Sequence, residues 1–120
     1  DQERAATIKS LIHVPVESFC GQLSLQQSAA VLKLSEAVIA HDTGLMHIAS
    51  ALRKKIFSVW GNTVPELGMY PYLPDPASEI IEVKNLSCRP CSKIGFETCP
   101  KGHFRCMNEI NEAAFDKLKN

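Results

Sequence analysis

Residues 37–63 read AVIAHDTGLMHIASALRKKIFSVWGNT, and this stretch decides the fold. It opens with an unbroken apolar run at 37–40 that ends at the polar His41, which is typical of a strand buried on both faces of a parallel sheet. A helical pattern follows over 44–53, whose apolar side chains at core spacing are Leu45, Ile48, Ala49 and Leu52. A second apolar strand, 56–60, then ends at Gly61. Strand, helix and strand with short connections predict a parallel sheet.

The flanking segments extend this alternation. A helix is predicted over 2–13, and its apolar face consists of Ala5, Ile8, Leu11 and Ile12. A second helix is predicted over 24–35, where Ser24 and Gln27 form a capping box. A short strand is expected within 14–20, a last strand over 79–84 and a closing helix over 108–120. The four prolines between 65 and 76 predict a loop. The fold class is therefore α/β, a Rossmann-like three-layer parallel sheet with helices on both faces.

Composition and charge exclude several classes of protein. The 45% hydrophobic and 22% charged fractions are those of a globular protein. Thirteen basic and thirteen acidic side chains give a net charge of zero, which argues against a nucleic-acid-binding domain. No stretch reaches the roughly 18 apolar residues that a membrane span needs. The first residues, 1–4, lack the layout of a secretory signal. The five cysteines are an odd number, which argues against a secreted disulfide scaffold, so we expect a cytoplasmic protein.

The segment 42–47, Asp-Thr-Gly-Leu-Met-His, carries the most chemical information. It lies where a predicted strand ends and a helix begins, and ligands of open α/β sheets bind at such positions. Asp42 or Thr43 can cap the helix, and Gly44 lets a phosphate approach the unpaired N–H groups of the first turn. His47 falls one turn later and could reach the same anion. The alternative is an ordinary helix cap followed by a half-exposed histidine.

Residues 37–63 resemble the signature region of glycosyltransferase family 9, the lipopolysaccharide heptosyltransferases. That family carries an Asp-Thr/Ser-Gly-x-x-His motif, then Ala-x-Ala-Leu, a strand and a Gly-x-Thr loop. The matching residues here are 42–47, 49–52 and 61–63. The opening of the preceding helix at 21–25 also fits. Asn62 departs from the family, which more often has proline at that position.

The resemblance implies the C-terminal half of a GT-B glycosyltransferase, whose active site lies between two Rossmann-like halves. Residues 1–120 would be the domain that binds the nucleotide-sugar donor, and the N-terminal domain with the acceptor site and the catalytic base would be missing. The implied reaction is an inverting transfer of heptose, or a similar sugar, from ADP-heptose to the lipopolysaccharide core. No cofactor is implied, and contact with the inner membrane would be at most peripheral.

The resemblance also assigns roles to single residues. Thr43, Gly44 and Leu45 would contact the diphosphate or the sugar of the donor. Asp42 would organise the turn or bind the sugar, and His47 would bind phosphate.

Two further residues are carried over from the same family. Leu23 would line the adenine pocket, and Glu3 would match the acidic residue that binds the ribose hydroxyls. The family's general base belongs to the N-terminal half, so this chain would hold no catalytic residue and would bind without turnover. The chain has no Asp-x-Asp motif, which is consistent with a leaving group stabilised by protein. A related GT-B enzyme that uses another nucleotide sugar is an alternative.

A cysteine-rich basic loop is predicted over 86–107. Its potential zinc ligands are Cys88, Cys91, Cys99, Cys106 and His103. The spacing matches no standard zinc finger, so we expect free or disulfide-paired cysteines and no bound metal. The alternative is a zinc-stabilised interaction module. The basic residues of the loop are Arg89, Lys93, Lys101 and Arg105. They would contact an anionic acceptor or a membrane surface, or pack against the missing domain.

Overall fold

A computed structural model describes residues 1–118. Its three strands are β1 (Ala37–His41), β2 (Lys55–Trp60) and β3 (Glu79–Glu82), and they form one parallel sheet in the order β1, β2, β3. The central strand is buried from Ile56 to Trp60 because both of its edges are paired and both of its faces are covered. The predicted parallel sheet is confirmed.

The helices are α1 (Gln2–Leu11), α2 (Leu25–Leu34), α3 (Gly44–Ala51) and α4 (Arg105–Asn108), with 3-10 segments at Pro65–Leu67 and Glu112–Leu118. On one face of the sheet α3 packs against β1 and β2, and α2 packs against α3. The buried side chains of this layer are Val38, Met46, Ala49, Ile56 and Trp60.

The C-terminal segment covers the other face of the sheet. Phe57, Val59 and Ile81 point to this side, and the chain after the cysteine-rich loop packs over them through Met107, Ile110, Ala114, Phe115 and Leu118. The rings of Phe57 and Phe115 lie 6.5 Å apart between centroids. Helical segments therefore lie on both faces of the sheet, which confirms the three-layer arrangement.

The capping box at the start of α2 is confirmed. The N–H of Gln27 donates to the Ser24 hydroxyl at 3.3 Å, and the N–H of Ser24 donates to the Gln27 side chain at 2.8 Å. This reciprocal pair satisfies two of the N–H groups that a helix start leaves open. It also fixes the residue at which α2 begins.

The predictions for the N-terminal segment are partly wrong. The expected strand within 14–20 does not form, because Pro15 lacks the N–H that a strand ladder needs. The helix ends at Leu11 and not at residue 13. Its predicted core face is exposed as well, with Ile8 58% and Leu11 72% accessible. Apolar spacing forms a core only where a partner covers it. The segment 16–20 lies beside this face but leaves Ile8 and Leu11 largely exposed.

Two helix predictions also need correction. The buried face of α3 is formed by Met46, Ala49 and Ser50, whereas Leu45 is 42% exposed, because the sheet lies on the side of Met46. The single helix expected over 108–120 is broken into α4 and a 3-10 segment. Asn111 lies at the break, and its side chain accepts the N–H of Ala113 at 3.0 Å, which starts a new turn. Residues 119–120 lie outside the described part of the chain.

The longest helices among residues 1–118 have ten residues. None of the helices in this part of the chain is long and apolar enough to cross a bilayer.

Candidate functional site

The motif that begins at Asp42 forms the whole connection between β1 and α3. The strand ends at His41, Thr43 occupies the N-cap position, and Gly44 is the first helical residue. The His41 ring nitrogen Nδ1 lies 3.2 Å from the carbonyl oxygen of Val59, which ties the end of β1 to β2. The predicted strand, turn and helix at the carboxyl edge of the sheet are therefore confirmed.

The start of α3 presents free hydrogen-bond donors. The Thr43 carbonyl accepts the N–H groups of Met46 at 3.0 Å and His47 at 3.4 Å. The N–H groups of Gly44 and Leu45 precede these donors and have no acceptor within residues 1–118. Neither the Asp42 nor the Thr43 side chain accepts an N–H group of the first turn, so both capping options that the sequence suggested are wrong. Two open N–H groups at the positive end of a helix favour an anion.

The Gly44 position is open to solvent. A β-carbon built on Gly44 meets no atom within 4 Å, and its backbone does not adopt a positive φ. Neither packing nor backbone geometry therefore requires glycine here. A ligand that approaches the backbone of this turn therefore meets no side chain at position 44.

The side chain of His47 is half-buried and has no hydrogen-bond partner among the described residues. It follows Gly44 by three positions, which places the two residues on the same side of α3. The imidazole is therefore available to a ligand that contacts the first turn of the helix.

A cleft of about 320 Å³ opens beside this motif at the carboxyl ends of β1 and β2. One side is formed by His41 and Asp42, and the loop Gly61–Thr63 follows β2 along its floor. The opposite wall comes from the cysteine-rich loop, through Ile94, Phe96, Glu97, Phe104 and Met107. The structure thus brings Asp42 into the cleft, whereas Thr43, Gly44, Leu45 and His47 lie outside its lining. Sequence reasoning missed this wall, for which the only signal was a pair of aromatic residues in a polar loop.

Two carried-over residues lie apart from this cleft. Glu3 is exposed and lines a shallow depression with Cys20 and Gly21. Leu23 is half-buried two residues after that turn. Neither side chain lines the cleft at Asp42. Their roles at the ribose and the adenine stay predictions.

The cysteine-rich loop brings several thiols near one another without a metal-binding arrangement. The Cys88 sulfur lies 3.9 Å from His103 Nε2, and the Cys91 thiol donates to the Cys88 carbonyl at 3.2 Å. The cysteines of the described chain are free. Within residues 1–118 no three His, Cys, Asp or Glu side chains are arranged to hold a metal ion. No observation therefore favours the zinc-stabilised module.

Thiol reactivity is expected to differ between Cys99 and Cys106. The Phe104 N–H bonded to the Cys99 sulfur at 3.4 Å lowers the pKa of Cys99, whereas burial raises the pKa of Cys106. Because the thiolate is the nucleophile, a lower pKa gives a larger reactive fraction at a given pH. We expect iodoacetamide to modify Cys99 at least about tenfold faster than Cys106 near pH 8. Peptide mass spectrometry measures both rates, and an equal or faster rate at Cys106 would contradict this prediction.

The basic surface of this loop is smaller than the sequence suggested. The Arg89 side chain is only 5% exposed and forms an ion pair with Glu82 at 3.0 Å. It also donates to the carbonyl oxygens of Val83 and Thr63. Arg89 therefore joins β3 to the floor of the cleft and is not available to an anionic partner. Arg105 is exposed but paired with Glu109.

Comparison with known proteins gives a consistent result. The family model described as glycosyltransferase family 9 (heptosyltransferase) matches residues 1–100. Lipooligosaccharide heptosyltransferase 2 of Haemophilus influenzae is 27% identical over 125 aligned residues, covering 98% of this chain and 34% of the relative. The Campylobacter jejuni protein of the same name is 21% identical over 109 residues, covering 90% and 32%. Lipopolysaccharide heptosyltransferase 2 of Escherichia coli is 26% identical over 70 residues, covering 55% and 20%.

The chain spans about a third of the length of the first two relatives. No solved structure matches the chain significantly. The family match extends over the sheet, the motif at Asp42 and most of the cysteine-rich loop. This chain therefore belongs to glycosyltransferase family 9, the heptosyltransferases.

Proposed function

We propose that residues 1–120 are the donor-binding domain of an inverting glycosyltransferase that moves a heptose from ADP-heptose to the lipopolysaccharide core. The observation that carries the proposal is the exposed start of α3, where two N–H groups are open and Gly44 adds no side chain beside them. The names of the relatives, which are heptosyltransferases of lipooligosaccharide or lipopolysaccharide, supply the sugar and the class of acceptor. In a complete enzyme a separate N-terminal domain would hold that acceptor.

The proposed donor lies across the start of α3. Its diphosphate accepts hydrogen bonds from the N–H groups of Gly44 and Leu45, with Thr43 at the N-cap beside it and the His47 ring contacting a phosphate oxygen. The donor's sugar extends toward Asp42. Its adenosine reaches Leu23 and Glu3.

In the proposed reaction an acceptor hydroxyl oxygen bonds to the anomeric carbon while the bond from that carbon to the diphosphate oxygen breaks. A base from the N-terminal domain takes the hydroxyl proton, and the nucleoside diphosphate leaves with one more negative charge. Fixed N–H groups and the imidazole stabilise that charge without reorganising, and stabilisation of this kind supplies much of the rate enhancement in many enzymes. Residues 1–120 alone should therefore bind the donor and not turn it over.

Calorimetric titration with ADP, UDP and their sugars tests this function. We expect the full-length protein that contains this chain to bind ADP more tightly than UDP. A folded protein that binds none of these nucleotides would contradict the proposal. If the protein binds UDP more tightly than ADP, it is still a glycosyltransferase, but its donor is a UDP-linked sugar.

Replacing His47 with alanine is expected to weaken ADP binding by about 1–2 kcal/mol, which is the loss typical of a hydrogen bond to a charged group. The ring has no partner to lose within residues 1–118, so stability should barely change. Titration and thermal melts of the same samples measure both effects. His13→Ala, which changes an exposed histidine outside the motif, is the control. Unchanged ADP affinity would remove His47 from the site.

A further inference from the structure

The cleft beside Asp42 has a second wall that is held by a specific contact. The Asn62 side-chain amide donates to the Phe96 carbonyl at 2.7 Å, and the N–H of Cys91 donates to the Asn62 carbonyl at 2.8 Å. The loop after β2 is therefore joined to the cysteine-rich loop by two hydrogen bonds. We call the contact between Asn62 and the segment 95–96 the latch.

Gly95 makes the latch possible. Its backbone has φ of +78°, and a β-carbon on Gly95 would lie 2.4 Å from the Asn62 side-chain oxygen. Any larger residue would both strain the turn and push the amide away. Asn62 therefore has a structural task in this chain that a residue without a side-chain donor could not perform.

The wall that the latch holds combines aromatic rings with a carboxylate. The side chains of Phe96 and Phe104 are 51% and 43% exposed, although both line the cleft. Glu97 lies on the same wall, and Asp42 also lines the cleft. Neither carboxylate has a hydrogen-bond or ion-pair partner among residues 1–118. Solvent-exposed rings next to unpaired acceptors inside a concave site are typical of a ligand pocket.

The two carboxylates of the cleft, Asp42 and Glu97, favour a neutral ligand over an anionic one. Two carboxylates repel a phosphate, so an anionic group belongs at the start of α3 and not between these walls. A neutral ring with many hydroxyls fits instead, because its hydroxyls donate to carboxylates and its C–H face packs on an aromatic ring. A sugar ring has this chemistry.

We infer that the latch holds Phe96 and Glu97 in place as a wall that binds a sugar. This inference rests on the proposed function and identifies the part of the cleft that receives the sugar. Phe96 packs against the ring and Glu97 accepts its hydroxyls. Asn62 is a positioning residue that acts through the backbone of Phe96. The sugar is either the one carried by the donor or the terminal sugar of the acceptor.

Steady-state kinetics of the full-length protein tests the wall. Phe96→Ala and Glu97→Gln should each raise the KM for one sugar substrate about tenfold, while the affinity for ADP alone changes less than about twofold. A rise in the donor KM assigns the wall to the donor's sugar, and a rise in the acceptor KM assigns it to the acceptor. Asn62→Ala should reproduce the same KM effect. Phe19→Ala, which removes a ring of matched exposure at 48%, should leave both KM values unchanged.

Other outcomes overturn the inference. If the wild-type protein binds ADP and transfers sugar while all three wall variants keep both KM values, the wall does not bind sugar and the proposed function survives. Equal losses for donor, acceptor and ADP would mean that the wall packs against another part of the protein. If the wild-type protein binds no nucleotide, both the inference and the proposed function fail. Phe96 and Glu97 are exposed, so their variants should fold, and thermal melts verify this.

Discussion

Replacing Arg89 with alanine is expected to lower the free energy of unfolding by about 3–5 kcal/mol, the usual cost of breaking a buried ion pair. The Arg89 and Glu82 side chains are only 5% and 11% exposed. Without the guanidinium the Glu82 carboxylate stays buried and unpaired, and the carbonyls of Thr63 and Val83 lose a donor. Urea denaturation followed by circular dichroism measures the loss.

Arg105→Ala is the matched control for this prediction. It breaks the exposed pair with Glu109, whose side chains are 53% and 45% accessible, and should cost far less than the loss at Arg89, because solvent screens this pair. The double variant Arg89→Met with Glu82→Leu should be more stable than Arg89→Ala, because no charge is then left buried alone. If Arg89→Ala lowers the free energy of unfolding no more than Arg105→Ala does, the buried ion pair between Arg89 and Glu82 does not stabilise the fold as expected.

Gly44→Ala is expected to affect binding and stability differently. The new methyl group meets no protein atom within 4 Å, and alanine is favoured over glycine in helices by up to about 1 kcal/mol. Stability should therefore stay equal or rise. The methyl group adds bulk beside the open N–H groups and is expected to hinder a diphosphate there, so ADP affinity should fall at least about tenfold, which is about 1.4 kcal/mol. Titration and thermal melts of one preparation give both numbers.

Gly68→Ala is the opposite control. Gly68 also has nothing within 4 Å of a built β-carbon, but its φ of +92° strains alanine. This variant should lose stability and keep its ADP affinity, since Gly68 lies after the 3-10 segment Pro65–Leu67. Equal ADP binding by Gly44→Ala and the wild-type protein would place the diphosphate elsewhere.

The elements that the sequence predicts well are those that local patterns specify. The apolar runs at 37–40 and 56–60 need no distant partner to favour strands, and the capping box of Ser24 forms within four residues. The failures occur where a pattern depends on what covers it. The face of α1 has helical spacing but contributes no buried residue, and Leu45 follows a core pattern on the wrong side of α3.

The site divides along the same line. The strand, turn and helix around Asp42 were determined by the sequence alone, because the apolar run and the helical spacing act within one connection. Only the tertiary structure decided that Arg89 is buried and that Asn62 holds Phe96, 34 positions further along the chain. Contacts between residues so far apart in the chain leave no periodic pattern and no local motif in the sequence. They form when the sheet fixes the two loops that β2 and β3 lead into, so the second wall of the cleft follows from packing and not from pattern.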